Sequence, residues 1–265
     1  MTRRLCLITG ASAGIGRAFA HLFAERGYDL VLIARRENRL IELANELKAQ
    51  WRANSIIIVE DLALDGAVDR ILNNINLKNR SIDALVNNAG YGLAGTYYNT
   101  TWEQQKDFLN TMLNVPCELA HKIIPKMREN GFGRIINVAS LAGHIPGSIG
   151  HSLYGAVKSF LIKFSQSLNA ELEGSGINVS ALCPGFTYSE FHDVNNTRKL
   201  VSKMPNFMWQ SAEDVVREGF IAVENNKAIA VTGKINKLIA VLFKLLPDNA
   251  AFALVKKRSK DFRNL

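Results

Sequence analysis

The chain switches regularly between two hydrophobic patterns. Short unbroken apolar runs end at a glycine or a polar residue. Longer segments follow in which apolar positions recur three and four residues apart. The unbroken runs are "RLCLITG" (4–10), "YDLVLIAR" (28–35), "SIIIVEDL" (55–62), "IDALVNNAG" (82–90), "GRIINVAS" (133–140), "INVSALCPG" (177–185) and "AIAVTG" (228–233). Runs of this kind suit strands covered on both faces. Segments 15–27, 36–51, 65–76, 101–130, 151–173 and 211–226 carry the helical spacing. Strands that alternate with helices predict an α/β fold, a Rossmann-type doubly wound parallel sheet of about seven strands with helices on both faces. Right-handed crossovers then bring the loops that follow the strands to one edge of the sheet. No linker, repeat or low-complexity stretch interrupts the pattern. Residues 1–265 therefore read as a single domain ending in a helical extension at 234–265.

Composition narrows the class. Of 265 residues, 48% are hydrophobic and 21% charged, enough to bury a substantial core. The opening run is shorter than a secretory apolar region and lacks a fitting cleavage site. No run reaches the roughly 18 apolar residues that span a bilayer. These features predict a cytoplasmic protein. Cys6, Cys117 and Cys183 lie far apart in apolar surroundings, as buried thiols of a reducing compartment would. The histidines show no ligand spacing, so no metal site is expected. The formal charge of +8 is partly concentrated in "KKRSKDFR" (256–263), but no nucleic-acid module accompanies it.

Three local features carry chemistry. The first strand runs into "TGASAGIG" (9–16), where Gly10, Gly14 and Gly16 permit a tight turn and close approach to a pyrophosphate at a helix N-terminus. The second strand ends in Ala34, Arg35 and Arg36 rather than in a carboxylate. Arginine forks phosphate oxygens, so Arg35 is a candidate for the 2′-phosphate of NADP. Finally, "SLYGAVKSF" (152–160) places Tyr154 four residues before Lys158, on one face of a helix. Taken alone, that pair also reads as a surface contact on an amphipathic helix.

Together the motifs resemble the short-chain dehydrogenase/reductase family. TGxxxGxG at 9–16 is followed by Asp61-Leu62, "NNAG" at 87–90, Asn114, Ser140, YxxxK at 154–158 and "PG" at 184–185, in the family's order. The likeness covers roughly residues 4 to 190, and the segment after 190 more loosely resembles the DltE-like branch. The resemblance implies catalytic roles for Asn114, Ser140, Tyr154 and Lys158. Tyr154 would exchange the proton, with Lys158 lowering its pKa from the usual ~10 and holding the nicotinamide ribose. Ser140 would bond the substrate oxygen, and Asn114 would hold a relay water. It also implies that Gly10, Ser12, Gly14, Ile15, Gly16, Arg35, Asp61, Leu62, Asn88, Ala89, Gly90, Pro184, Gly185, Thr187 and Ser189 contact the cofactor along with Tyr154 and Lys158. That cofactor would be NADP(H) in preference to NAD(H). Two departures stand out. Ala13 replaces the basic residue many NADP-preferring members carry in the glycine turn, and the Ser140–Tyr154 gap is about one residue longer than usual.

The expected function is carbonyl–alcohol interconversion by hydride transfer on an apolar small molecule, in a homodimer or homotetramer built on helices 101–130 and 151–173. The alternatives are an NAD-dependent alcohol dehydrogenase and a non-catalytic nucleotide sensor or scaffold. Residues 141–151 and 188–210 should flank the substrate. The second segment reads as a lid containing Tyr188, Phe191, His192, Met204, Phe207, Met208 and Trp209, although these side chains also suit the lid's own core. No cation is evidently placed to bind a small acid. In "KLIAVLFKLL" (237–246), positions 238, 239, 242, 245 and 246 share a helical face. Pocket or subunit packing is one reading of that face, and peripheral membrane contact through 237–265 is the other.

Overall fold

A computed structural model describes residues 3–76, 80–93, 95–190 and 205–260. The strands begin with β1 (Arg4–Thr9), β2 (Tyr28–Ala34), β3 (Ser55–Val59), β4 (Ala84–Asn87), β5 (Gly133–Val138) and β6 (Ile177–Cys183). Short β7 (Phe186–Thr187) and β8 (Trp209–Gln210) follow, then β9 (Ile229–Val231). The helices are α1 (Gly14–Glu25), α2 (Glu37–Trp51), α3 (Ala67–Asn76), α4 (Trp102–Leu109), α5 (Val115–Glu129), α6 (Ser152–Glu171), α7 (Ala212–Glu224), α8 (Lys234–Leu245) and α9 (Asp248–Arg258).

Seven strands form one parallel sheet, as the sequence predicts, and their order is β3-β2-β1-β4-β5-β6-β9. Side chains alternate across β1. Cys6 and Ile8 join a core with Phe19, Phe23, Leu43 and Val215 from α1, α2 and α7. Leu5 and Leu7 join another with Ile71, Leu119 and Ile123 from α3 and α5. The strands are therefore mostly apolar on both faces, because helices cover both. The order reverses between β1 and β4, which leaves a crevice beyond their C-terminal ends.

Two elements differ from the sequence expectation. The helix expected over 101–130 is interrupted by a π-turn at Asn110–Asn114. Its start is set by a capping box, in which Thr101 Oγ1 accepts from the Gln104 amide and the Gln104 side chain accepts from the Thr101 amide. The expected apolar face of 237–246 also splits. Ile239 and Phe243 line the central cleft, whereas Leu238, Leu242 and Leu245 are exposed. No described helix is long and apolar enough to cross a membrane.

Candidate active site

The crevice opens into a cavity of 1460 Å³ that runs from the glycine turn to the C-terminal helices. That exceeds the ~300–1,000 Å³ of an ordinary ligand pocket, so it has room for a large ligand and a second small one. One end is built from strand ends. Gly10 has φ +67°, and a Cβ there would come within 2.9 Å of Ala89 Cα. A Cβ on Gly16 would run into the Gly10 carbonyl. The bare backbone is thus a condition of packing as well as of ligand access. Asn88 clamps the turn, donating from Nδ2 to Thr9 O at 2.9 Å and Gly10 O at 3.2 Å. Thr9 Oγ1 in turn accepts from the Asn88 and Ala89 amides, each at 3.0 Å.

Gly10, Ser12, Gly14, Ile15, Arg35, Asp61, Leu62, Asn88, Ala89, Gly90, Pro184, Gly185, Thr187 and Ser189 all line this cavity. Of the expected glycines only Gly16 stands behind the surface, packed against Gly10. Thr187 is buried and donates from Oγ1 to Gly185 O. Ser189 lies over the turn, so close that a Cβ on Gly14 would meet it at 2.9 Å.

The cationic end is larger than Arg35 alone. Arg35 is 70% exposed and only 3.8 Å from Asp61. Arg36 reaches Ser12 Oγ at 3.1 Å and Glu190 at 2.9 Å, and Arg39 meets the same carboxylate at 2.5 Å. The two guanidiniums hold the Glu190 carboxyl below its usual range. Its oxygens stand where an anionic group would be received, beside the glycine turn. Arg36, Arg39 and Glu190 were not candidates on sequence grounds. Arg36 contacts a residue 154 positions away, so no local pattern marks the cluster.

Tyr154 and Lys158 lie on α6, and Ser140 ends the segment after β5. A short 3₁₀ turn at Leu141–His144 starts from Ser140, whose Oγ accepts from the Ala142 amide at 3.1 Å. Gly143 lets this turn sit directly on α6, since a Cβ there would lie 2.7 Å from the Lys158 carbonyl carbon. That contact sets Ser140 close enough to Tyr154 for its hydroxyl to act on the phenol. The longer Ser140–Tyr154 spacing is absorbed in the loop beyond the turn.

Burial pushes the Tyr154 phenol up to about 12, and the Ser140 hydrogen bond acts against that rise. Burial also lowers the Lys158 ammonium to about 8, opposed by the nearby Cys183. The net shift of the Tyr154 phenol is upward, opposite to the lowering expected from Lys158. The ammonium is spent on Val138 O at 2.7 Å, and it sits 5.6 Å from the phenol ring centroid. Desolvation outweighs that attraction.

Asn114 is not brought to this group. Its side chain is exposed and donates to Asn110 Oδ1 at 2.8 Å, and it does not line the cavity. The wider π-turn rotates position 114 away from Thr111, which does line it. Buried Asn137 was also missed. It accepts from Asn87 at 2.8 Å and donates to Ser165 at 2.9 Å, tying β4, β5 and α6 together. Its only sequence signal is a polar residue inside an apolar strand.

The other end of the cavity is loop and helix. Tyr188 stacks on Trp209 at 4.9 Å, and Phe186 packs on the same ring at 5.5 Å, so these aromatics do form a small core of their own. Met208 lines the cavity, whereas Phe207 is exposed. Phe191, His192 and Met204 lie outside the described residues. One expectation is corrected here, because a cation does face this end: Arg258 of α9.

Sheet order and cavity place the chain among the α/β proteins that bind a dinucleotide where strand order reverses. The profile of the short chain dehydrogenase family matches residues 4–199, and the chain belongs to that family. It is an oxidoreductase acting on carbonyl or alcohol groups. Sulfoacetaldehyde reductase 2 of Chromohalobacter salexigens is 35% identical over 71% of this chain and 74% of the relative. Ketoacyl reductase HetN of a Nostoc species is 31% identical over 93% of this chain and 84% of the relative. Among solved structures, a short-chain dehydrogenase from Sphingobium yanoikuyae in complex with NADPH superposes with a TM-score of 0.79. It is 28% identical, with 92% of this chain and 96% of that one covered.

Proposed function

We propose that this protein is an NADP(H)-dependent short-chain reductase that converts a ketone or aldehyde to an alcohol, with Tyr154 as the proton donor. The observation that carries the reading is that Ser140, Tyr154 and Lys158 line the same cavity as the glycine turn. A bound nicotinamide dinucleotide would supply the hydride. Gly10, Gly14 and Ser189 would flank its pyrophosphate. Arg35, Arg36 and Arg39 would receive a 2′-phosphate, the group for which the Glu190 carboxylate stands in.

The remaining work falls to side chains of this chain. A phenol near pKa 12 is protonated at neutral pH, so Tyr154 carries the proton that carbonyl reduction requires. Ser140 lines the cavity with Tyr154 and would hold the carbonyl oxygen beside it. Lys158, near 8, is mostly cationic at neutral pH and would stabilise the phenolate left after proton transfer. The exposed Asn114 takes no part in this scheme. The apolar walls supplied by Ile239 and Phe243 support an apolar substrate body. The same reading includes the DltE-like branch and a homodimer or homotetramer. Half-exposed Phe160, stacked on Phe164 along α6, supports the oligomer.

The test is a fluorescence titration with NADPH and NADH, followed by a carbonyl panel read by nicotinamide absorbance. NADPH should bind more tightly, and Arg35→Ala and Arg36→Ala should each reduce that preference. Equal binding of both cofactors would remove the NADP assignment, and binding without turnover of any carbonyl would favour a nucleotide sensor.

A further inference from the structure

We infer that Arg258 is a binding residue for a carboxylate carried by the substrate, at the far end of an apolar chain from the reacting carbonyl. This inference rests on the reductase reading and narrows its substrate to oxo-acids and the matching hydroxy-acids.

Charge is distributed unevenly along the cavity. Its acidic lining residues are Glu60, Asp61, Asp107 and Glu190. Glu60 and Asp61 follow β3, Glu190 is held by Arg36 and Arg39, and Asp107 lies near Tyr91, Arg35 and Asp61. All four therefore belong to the dinucleotide end. Beyond Tyr154 the wall is mostly apolar, with Ile145, Met208, Ile239, Phe243 and Leu254. Its polar members are largely committed. Asn236 donates to Thr232 O, and Ser259 accepts from the Ile149 amide. His151 is held towards its neutral form by burial. Among the described residues Arg258 is the cation that remains at this end, and it makes no hydrogen bond or ion pair with any of them.

Its position is built rather than incidental. Ala251, Val255 and Ser259 form the buried stripe that seats α9. Leu254 and Arg258 share the adjoining face, one turn apart, and both line the cavity. The neighbouring Lys256, Lys257 and Lys260 do not. The Ser259–Ile149 hydrogen bond, at 3.3 Å, ties the end of α9 to the loop that leads into His151 and Tyr154. Arg258 is thus fixed relative to the proton donor by the next residue in the chain. A guanidinium fork suits a carboxylate. Because Arg258 is exposed, the pair would form at the water-facing mouth, where neither charge has to be fully desolvated. The carbons between would lie against Leu254, Phe243 and Ile239.

The test uses two readouts on the full chain. In the first, protein saturated with NADP⁺ is titrated calorimetrically with decanoate and with methyl decanoate. Decanoate should bind about tenfold more tightly, as one partly exposed charge-assisted pair allows. Arg258→Gln should erase that preference, Arg258→Lys should restore part of it, and Lys257→Gln should leave it intact. In the second, 9-oxodecanoate and its methyl ester are compared as substrates with NADPH. The acid should be favoured through KM with kcat unchanged, and Arg258→Gln should remove the advantage while leaving ester turnover intact. Equal binding of acid and ester, or a preference that survives Arg258→Gln, overturns the inference. Ester reduced as well as acid by the wild type leaves the reductase standing and removes the carboxylate site. Decanoate bound through Arg258 with no carbonyl reduced does the reverse.

Discussion

The two ends of the cavity are built differently. The dinucleotide end consists of the C-terminal edges of β1, β2 and β4, with a glycine turn whose shape is dictated by close packing against Asn88 and Ala89. The substrate end is a collection of loops plus two helices from the last part of the chain. The first is a property of the sheet, and many ligands of one shape could use it. The second is a property of this chain, and it is where specificity has been added. Charge follows the same division. The dinucleotide end gathers exposed, mutually paired arginines and carboxylates, whereas the centre holds a phenol and an ammonium that burial drives towards neutrality.

The strongest way to break this contrast is at the centre. Tyr154→Phe should reduce kcat for carbonyl reduction by about 10²–10⁴, the usual worth of a positioned general acid. NADPH affinity should change little. If activity persists at near wild-type level, another group supplies the proton.

Lys158 sharpens the contrast through stability. Its pKa is about 8 in the fold against the usual 10.5 of a lysine, so the unfolded chain holds this proton more tightly. Below pH 8 the folded state carries the full cost of a buried cation, and stability recovers as pH rises from about 8 towards 10.5. Lys158→Met should therefore abolish turnover yet stabilise the protein by roughly 1–3 kcal/mol at neutral pH, less the lost bond to Val138 O. Denaturant melts should show that gain shrinking at pH 10. A destabilised variant at pH 7 would mean that the Val138 hydrogen bond outweighs desolvation.

The same titration should appear in rate. Reduction by the wild type should be level up to about pH 8 and then fall as Lys158 loses its proton, by up to about tenfold per pH unit. Tyr154 stays protonated throughout that range. A profile flat to pH 10 would separate Lys158 from the proton step.

The smallest effect belongs to the exposed end. Glu190→Gln removes the carboxylate that occupies Arg36 and Arg39, so NADPH should bind about threefold more tightly with NADH affected less, a difference that salt should erode. An unchanged NADPH affinity would show that these arginines do not receive the 2′-phosphate.

Much of this molecule was legible before its structure. Unbroken apolar runs such as "RLCLIT" were readable as strands because helices cover both faces of the sheet, which leaves few positions free to be polar. The glycine turn and the Tyr154–Lys158 pair were readable because each is local, the first a backbone requirement at fixed spacing and the second one helical turn. Asn114 shows the limit of such reading. One π-turn rotates it out of the cavity, and nothing in the residues around it announces that turn.

By itself, then, the sequence determined the class of fold, the order of its elements and the residues that face one another within a single turn or loop. Only the tertiary structure decided which distant side chains meet: Arg36 and Arg39 with Glu190, the Gly143 turn on Lys158, and Arg258 at the mouth of the cavity. The reason is physical. Periodicity and glycine reflect the backbone's own short-range energetics, whereas contacts between residues on different elements depend on how those elements pack. It also took packing to reverse the expected shift of the Tyr154 phenol, since the degree of burial, not the spacing to Lys158, sets its proton affinity.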